Sequence, residues 1–485
     1  KNFNASNAGL VAVEPKTGQI LTMVGSRGYF DKDIDGMVNI TLANRQPGSS
    51  FKPFVYATAF EKGYTPDTMV FDLQTQFSTF CEPNDVANGE APCYSPGNYD
   101  EKFRGPLSLR NALAQSVNVP SVKTLYLAGI TDSLKTASDL GITTLGDKNQ
   151  YGLTLVLGGG EVNLLEMTGA YGVFANDGVR NPTTPVLKVE DGAGNVLENY
   201  EEQGSRVLDS QIARQINDIL SDNVARTPEF GADSPLYFKD ADVADKTGTT
   251  NDSRDAWIIG YTPGIAMGAW AGNNDNTPMV KKIAAFIVAP MWHEVMAYAL
   301  TKYQSPAFTP PAPDMELDSL PPVLRGNWNT NPLQGVHDIL FWVNKDSPRS
   351  GAPANPAADP QFARWEYPVQ IWAHNNPQVP TATQASTTST ATPVQTSSGS
   401  SFTITSPQRG TTVPSFVPIS VSASHSRPES VSRVAYYLNG QFIGSSAVPP
   451  YSISFMPATH GPSVLRAVAE SSLGNQEHTV SFTIQ

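Results

Sequence analysis

Lys246-Thr247-Gly248-Thr249-Thr250 leads towards Ala256–Tyr261, an apolar run that reads as a β-strand. A glycine at that place lets a ligand approach the backbone closely. Two other short patterns precede it in order, Ser49-Ser50-Phe51-Lys52 and Ser116-Val117-Asn118. Each is weak by itself, since S-x-x-K recurs by chance roughly twice in a chain of this size. Their order, their flanks and the chemistry the three can do together carry the weight.

Acyl transfer needs a nucleophile, a base beside it and donors aimed at the developing oxyanion. Pro47 and Gly48 lead into an apolar-periodic helix, which sets Ser49 at a helix N-terminus, where orphan amides and the dipole favour negative charge. Lys52 projects from the same face within reach of the Ser49 hydroxyl, and Pro53 falls close to the first turn, where it costs little. To act as a base Lys52 must be neutral, a fall of about three units from ~10.4. Burial and a second cation, Lys246, would supply it. Ser116 could pass a proton to the leaving amine, and Asn118 could bond the substrate amide and Lys52. Thr247 and Thr249 would hold a substrate carboxylate, and the amides of Ser49 and Thr249 would form an oxyanion hole. The bland alternatives are a serine N-cap followed by a solvated lysine, and an asparagine capping a helix end. Ser221-Asp222-Asn223 also follows a helical run, and physics alone does not choose between it and Ser116-Val117-Asn118. A second K-T-G, Lys16-Thr17-Gly18, lies in turn chemistry between Leu10–Val13 and Ile20–Val24.

The 485 residues suggest roughly two to four domains, and 40% hydrophobic with 16% charged content reads as folded. A formal charge of −13 with no Lys/Arg block argues against nucleic acid. No run spans a bilayer and no signal peptide is visible, so the chain beginning at Lys1 is expected to be a mature or truncated piece without its anchor. Cys81 and Cys93 are the only cysteines, in a loop without histidine, so a disulfide is favoured over a metal site, with two free thiols as the alternative. No metal or cofactor is expected. Residues 1–310 read as mixed α/β, with helical runs at Leu107–Gln115, Leu164–Asn176 and Ser210–Leu220; 311–376 read as an irregular tail packed on that domain. Residues 377–401, rich in Ser, Thr and Pro, read as a flexible linker, and 402–485 as an immunoglobulin-like β-sandwich with Asn439-Gly440 as a hairpin turn.

Serine β-lactamases and penicillin-binding proteins carry S-x-x-K, S-x-N and K-T-G in this order. Arg45-Gln46-Pro47-Gly48-Ser49-Ser50-Phe51-Lys52-Pro53 closely resembles the active-serine segment of class A penicillin-binding proteins. Arg110-Asn111-Ala112-Leu113-Ala114-Gln115-Ser116-Val117-Asn118-Val119-Pro120 is similar to their S-x-N region, and Lys246–Asp252 with Arg254-Asp255-Ala256-Trp257 to their K-T-G strand pair. The resemblance selects Ser116 and Asn118 over Ser221-Asp222-Asn223. It implies an antiparallel sheet flanked by helices and a D,D-transpeptidase that cross-links peptidoglycan. Ser49 would attack the D-Ala-D-Ala bond of a stem peptide and release D-Ala, an acceptor amine would resolve the acyl-enzyme, and β-lactams would inhibit by acylating Ser49. It also implies an extracytoplasmic place at a bacterial membrane, with the upstream anchor and glycosyltransferase domain of such proteins absent from this chain. A cell-wall component is the expected ligand of the sandwich. Rival readings are a D,D-carboxypeptidase or β-lactamase with water as acceptor, for which Glu161 and Glu166 are the candidate bases although their apolar surroundings suggest a helix start and a helix face, and a non-catalytic penicillin sensor or scaffold.

Overall fold

The computed structural model describes residues 3–87, 91–328, 335–376, 402–414, 419–438, 441–455, 457, 461–471 and 476–485. The expected linker 377–401 and the Asn439-Gly440 turn lie outside the described residues. The chain divides into two compact units, Lys1–Thr383 and Gln384–Gln485.

The first unit is built on five antiparallel strands: β1 (Asn7–Val13), β2 (Ile20–Val24), β3 (Ala244–Thr249), β4 (Asp255–Thr262) and β5 (Ile265–Gly272). Their order is β2-β1-β5-β4-β3, so β3, the K-T-G strand, is an edge. Successive side chains of a strand face opposite ways. Trp257, Ile259 and Tyr261 of β4 therefore join one core, and Ala256 and Ile258 join the other. Both faces are covered by helices, which explains why β4 is buried throughout rather than alternately exposed.

The helices that matter for the site are α1 (Lys52–Glu61), α2 (Leu109–Ala114), α3 (Asn118–Ala128), α4 (Leu164–Ala175), α5 (Ser210–Ser221), α6 (Asn223–Phe230), α7 (Ala289–Leu300) and α8 (Phe362–Asn375). Helix α4 lies against β1, β4 and β5, while α7 packs on the other face with Trp292 and Met296. The run expected to be helical from Leu107 starts later, because Gly105–Ser108 pairs as a strand with Met69–Asp72.

Two expectations need correction. Ser49 does not begin an α-helix: Gly48–Phe51 is a 3-10 turn, closed by the Lys52 amide on the Ser49 carbonyl. An α-helical bond to that carbonyl would have to come from residue 53, and Pro53 has no N–H to give. Nor is 311–376 irregular throughout. Helix α8 buries Trp365 in the main core of the first unit, together with Leu324 and Ile339. Among the described residues no helix is long and apolar enough to cross a membrane.

The second unit has a three-stranded and a five-stranded sheet. Val421, Val434, Tyr436, Leu465, Ala467 and Phe482 form its core, each on the inward side of an alternating strand.

Candidate active site

Three chain segments meet at the open edge of β3. The first is the serine turn, whose backbone lies directly on the K-T-G strand. A Cβ on Gly248 would stand 2.1 Å from the Pro47 carbonyl oxygen, and one on Gly48, at φ +57°, would stand 2.5 Å from that of Thr249. Only glycine permits this approach. The amide of Thr250 donates to the Asp255 carbonyl, so by the alternation of an antiparallel ladder the amides of Thr249 and Thr247 point away from β4, towards the serine turn.

The second segment is the three-residue joint between α2 and α3. Ser116 adopts φ 59°, a left-handed conformation that costs a serine about 1 kcal/mol. This conformation turns the carbonyl and hydroxyl of Ser116 towards the lysines. Lys52 Nζ donates to the Ser116 carbonyl at 2.6 Å and to Asn118 Oδ1 at 2.9 Å, with Val117 O at 3.3 Å and Ser116 Oγ at 3.5 Å. Lys246 Nζ, from the third segment, donates to Ser116 Oγ at 2.8 Å and to the Thr247 carbonyl at 3.0 Å. Ser116 thus joins the two lysines. The Ser49 hydroxyl makes no hydrogen bond among the described residues, so the direct Ser49–Lys52 contact foreseen from the sequence is not formed here.

Lys52 is fully buried and Lys246 is 3% exposed. Burial, with the charge of Lys246 as the second cause, pushes the Lys52 amine well below its ordinary range. Burial also brings Lys246 down to about 7, opposed by the carboxylates of Asp245 and Glu229. Desolvation is thus the larger lever and the neighbouring cation the smaller one. Asp245 is in turn paired with buried Arg226.

A cavity of about 680 Å³ opens over this centre, lined by Ser49, Ser116, Asn118, Thr247, Thr249 and Glu229 among others. The Thr249 hydroxyl accepts from the Ala284 amide at 2.9 Å, which fixes its oxygen and leaves its proton to donate into the cavity. Lys52, Lys246 and Gly248 lie beneath this lining. Tyr99, which opens the segment Tyr99–Pro106 that is also similar to the family's S-x-N region, lines it too, as do Leu157, Glu229 and Lys281, which no motif in the sequence marks.

The rejected candidates have structural roles. Asp222 caps α6 through the Ala225 amide and pairs with Arg110. Thr17 bonds Glu14 across the β1–β2 turn, where Gly18 has φ +79°. Glu166 accepts from the amide and hydroxyl of Thr143, and neither it nor Glu161 lines the cavity. Cys81 and Cys93 are joined in a disulfide away from the cavity.

The family model described as penicillin binding protein transpeptidase domain matches residues 8–291, and the chain belongs to that family. A bacterial Ig domain model matches residues 401–481. Penicillin-binding protein 2D of Bacillus subtilis is 33% identical over 314 residues, covering 62% of this chain and 42% of the relative. Penicillin-binding protein 1A of Aquifex aeolicus is 34% identical over 303 residues, with 62% and 39% covered. The chain thus spans about two fifths of the length of these relatives. Among solved structures, penicillin-binding protein 1A of Haemophilus influenzae aligns with a TM-score of 0.55 at 26% identity, over 63% of this chain and 49% of that one. PonA1 of Mycobacterium tuberculosis, solved in complex with penicillin V, aligns at 0.52 and 20% identity over 63% and 81%, and shares the fold.

Proposed function

We propose that the chain is a peptidoglycan D,D-transpeptidase acting through an acyl-enzyme on Ser49, and that β-lactams acylate the same serine. The observation that carries the reading is the convergence of two buried lysines on one serine hydroxyl, inside the cavity that holds Ser49. A neutral Lys52 gives two protons to the Ser116 carbonyl and Asn118 Oδ1 and keeps a lone pair for the Ser49 proton. Ser49 Oγ then bonds the carbonyl carbon of the penultimate D-Ala, with the oxyanion facing the amides of Ser49 and Thr249. As the peptide C–N bond breaks, Ser116 hands a proton to the departing D-Ala nitrogen and is resupplied from the lysine pair. Lys246, Thr247 and Thr249 hold the terminal carboxylate. An acceptor amine reverses the sequence and forms the cross-link.

The disulfide favours an oxidising, extracytoplasmic setting. A division into 1–310, 311–376, 377–401 and 402–485, with a wall component bound by the last segment, completes the proposal.

A penicillin tests the reading directly. One equivalent is expected to be consumed in a burst, followed by slow release. Rapid continuing turnover would identify a hydrolase instead.

The lysine pair also sets a pH dependence. Acylation by a donor bearing a carboxylate should rise with pH while Lys52 loses its proton. It should fall above about 7 as Lys246 loses its charge. In Lys246→Arg, which stays charged, the alkaline limb should move up. An unmoved limb in the kcat/KM profile would remove Lys246 from that role.

A further inference from the structure

Glu229, near the end of α6, presents a carboxylate to the cavity that holds Ser49. Its side chain is 16% exposed and Oε2 accepts from Arg104 at 3.1 Å. Its Oε1 has no hydrogen-bond partner among the described residues. Arg104 is shared with Asp100 at 3.0 Å and with fully buried Asp72 at 3.5 Å. One guanidinium therefore bonds three carboxylates, and Lys246, whose charge also favours the Glu229 anion, spends its hydrogen bonds on Ser116 and Thr247 rather than on Glu229. Buried carboxylates call for a paired cation. Tyr99 and Phe230 line the cavity beside Glu229, giving an apolar flank for an aliphatic chain and an aromatic face for a cation at its end.

We propose that Glu229 receives the acyl acceptor as a primary alkylammonium, which makes it the residue that selects a charged amine over water or a neutral nucleophile. The inference rests on the transpeptidase reading above. An alkylamine arrives protonated near neutral pH. At Glu229 it gives one proton to the carboxylate, and the freed nitrogen bonds the acyl carbon. The carbon–Oγ bond of Ser49 breaks, the second proton returns to Ser49 Oγ by way of Lys52, and Glu229 releases its proton to solvent. Burial raises the Glu229 carboxyl above its ordinary range, which suits it to hold that proton briefly.

The test partitions one acyl-enzyme between two nucleophiles. An N-acyl-D-alanyl thioester loads Ser49, and n-pentylamine competes with hydroxylamine, which is uncharged at pH 7. Products are counted per acyl-enzyme formed. In Glu229→Gln the ratio of pentylamide to hydroxamate should fall about tenfold, the worth of a charged hydrogen bond. Glu229→Asp should keep most of the wild-type ratio. In the wild type, rising salt should lower the ratio, a readout that does not need the Gln variant to fold. A ratio unchanged in Glu229→Gln, or indifferent to salt in the wild type, overturns the inference. So does a variant in which only hydrolysis slows, since Glu229 would then activate water. Failure of the wild type to form any acyl-enzyme would instead strike the transpeptidase reading, and it is seen before partition is measured.

Discussion

Ser49→Ala is expected to carry no covalent penicillin under conditions that label the wild type to completion. The serine turn presents one hydroxyl, Ser49, to the cavity. Its neighbour Ser50 is fully buried and donates to the Pro47 carbonyl at 2.7 Å, so it cannot substitute. Ser116 lines the same cavity, yet its oxygen accepts from Lys246, and its left-handed backbone holds it beside the lysines. Lys52→Ala should behave differently, slowing acylation by about 10²–10⁴-fold because the base is lost while the nucleophile remains. Fluorescent penicillin and gel quantitation separate the two outcomes. Equal labelling of Ser49→Ala and wild type would refute Ser49 as the nucleophile.

Asp338→Ala is expected to destabilise the first unit by about 3–5 kcal/mol. Lys123 of α3 and Asp338 are both without solvent exposure and pair at 2.5 Å. The substitution leaves a buried ammonium with no hydrogen-bond partner among the described residues, facing the Trp365 ring 5.1 Å from its centroid. A cation–π contact is worth about 0.5–2 kcal/mol, too little to replace the carboxylate. The denaturant midpoint of the unit measures the loss. The double variant Lys123→Met/Asp338→Leu should regain most of it, since apolar isosteres of a buried pair are often neutral or better. A loss below about 1 kcal/mol, the range of exposed pairs, would show that water reaches the site.

Those two residues stand 215 positions apart, and nothing local in either segment signals the contact. What a sequence displays is periodicity and short motifs. The runs at Leu10–Val13, Ile20–Val24 and Ala256–Tyr261 were legible as strands because their apolar content exceeds what a loop tolerates, and each falls inside an observed strand. Ser49, Lys52, Ser116, Asn118, Thr247 and Thr249 were legible as a group because their spacings are fixed by the chemistry proposed for them. The 3-10 turn at Ser49 was also readable in principle, from the missing amide of Pro53. Glu229 was not: Thr227-Pro228-Glu229-Phe230 looks like any solvated end of a helix, and only the packing of α6 beside α2 turns it to the cavity. Helix α8 was hidden by Pro368, which reads as a breaker but is itself buried within the helix.

The strand order β2-β1-β5-β4-β3 places β1 between its sequence neighbour and a strand from the second half of the unit, with Asn7 opposite Gly272. A chain that grows from its N-terminus completes the β1–β2 hairpin early, yet that hairpin has no second neighbour until β5 has been made. Closing so long a loop costs conformational entropy before any contact repays it, and folds dominated by distant pairings form slowly. Until then Val11 and Val13, almost wholly buried in the finished unit, sit beside an unsatisfied strand edge. The same topology that leaves β3 at the edge of the sheet thus makes β1 a segment in need of protection during assembly.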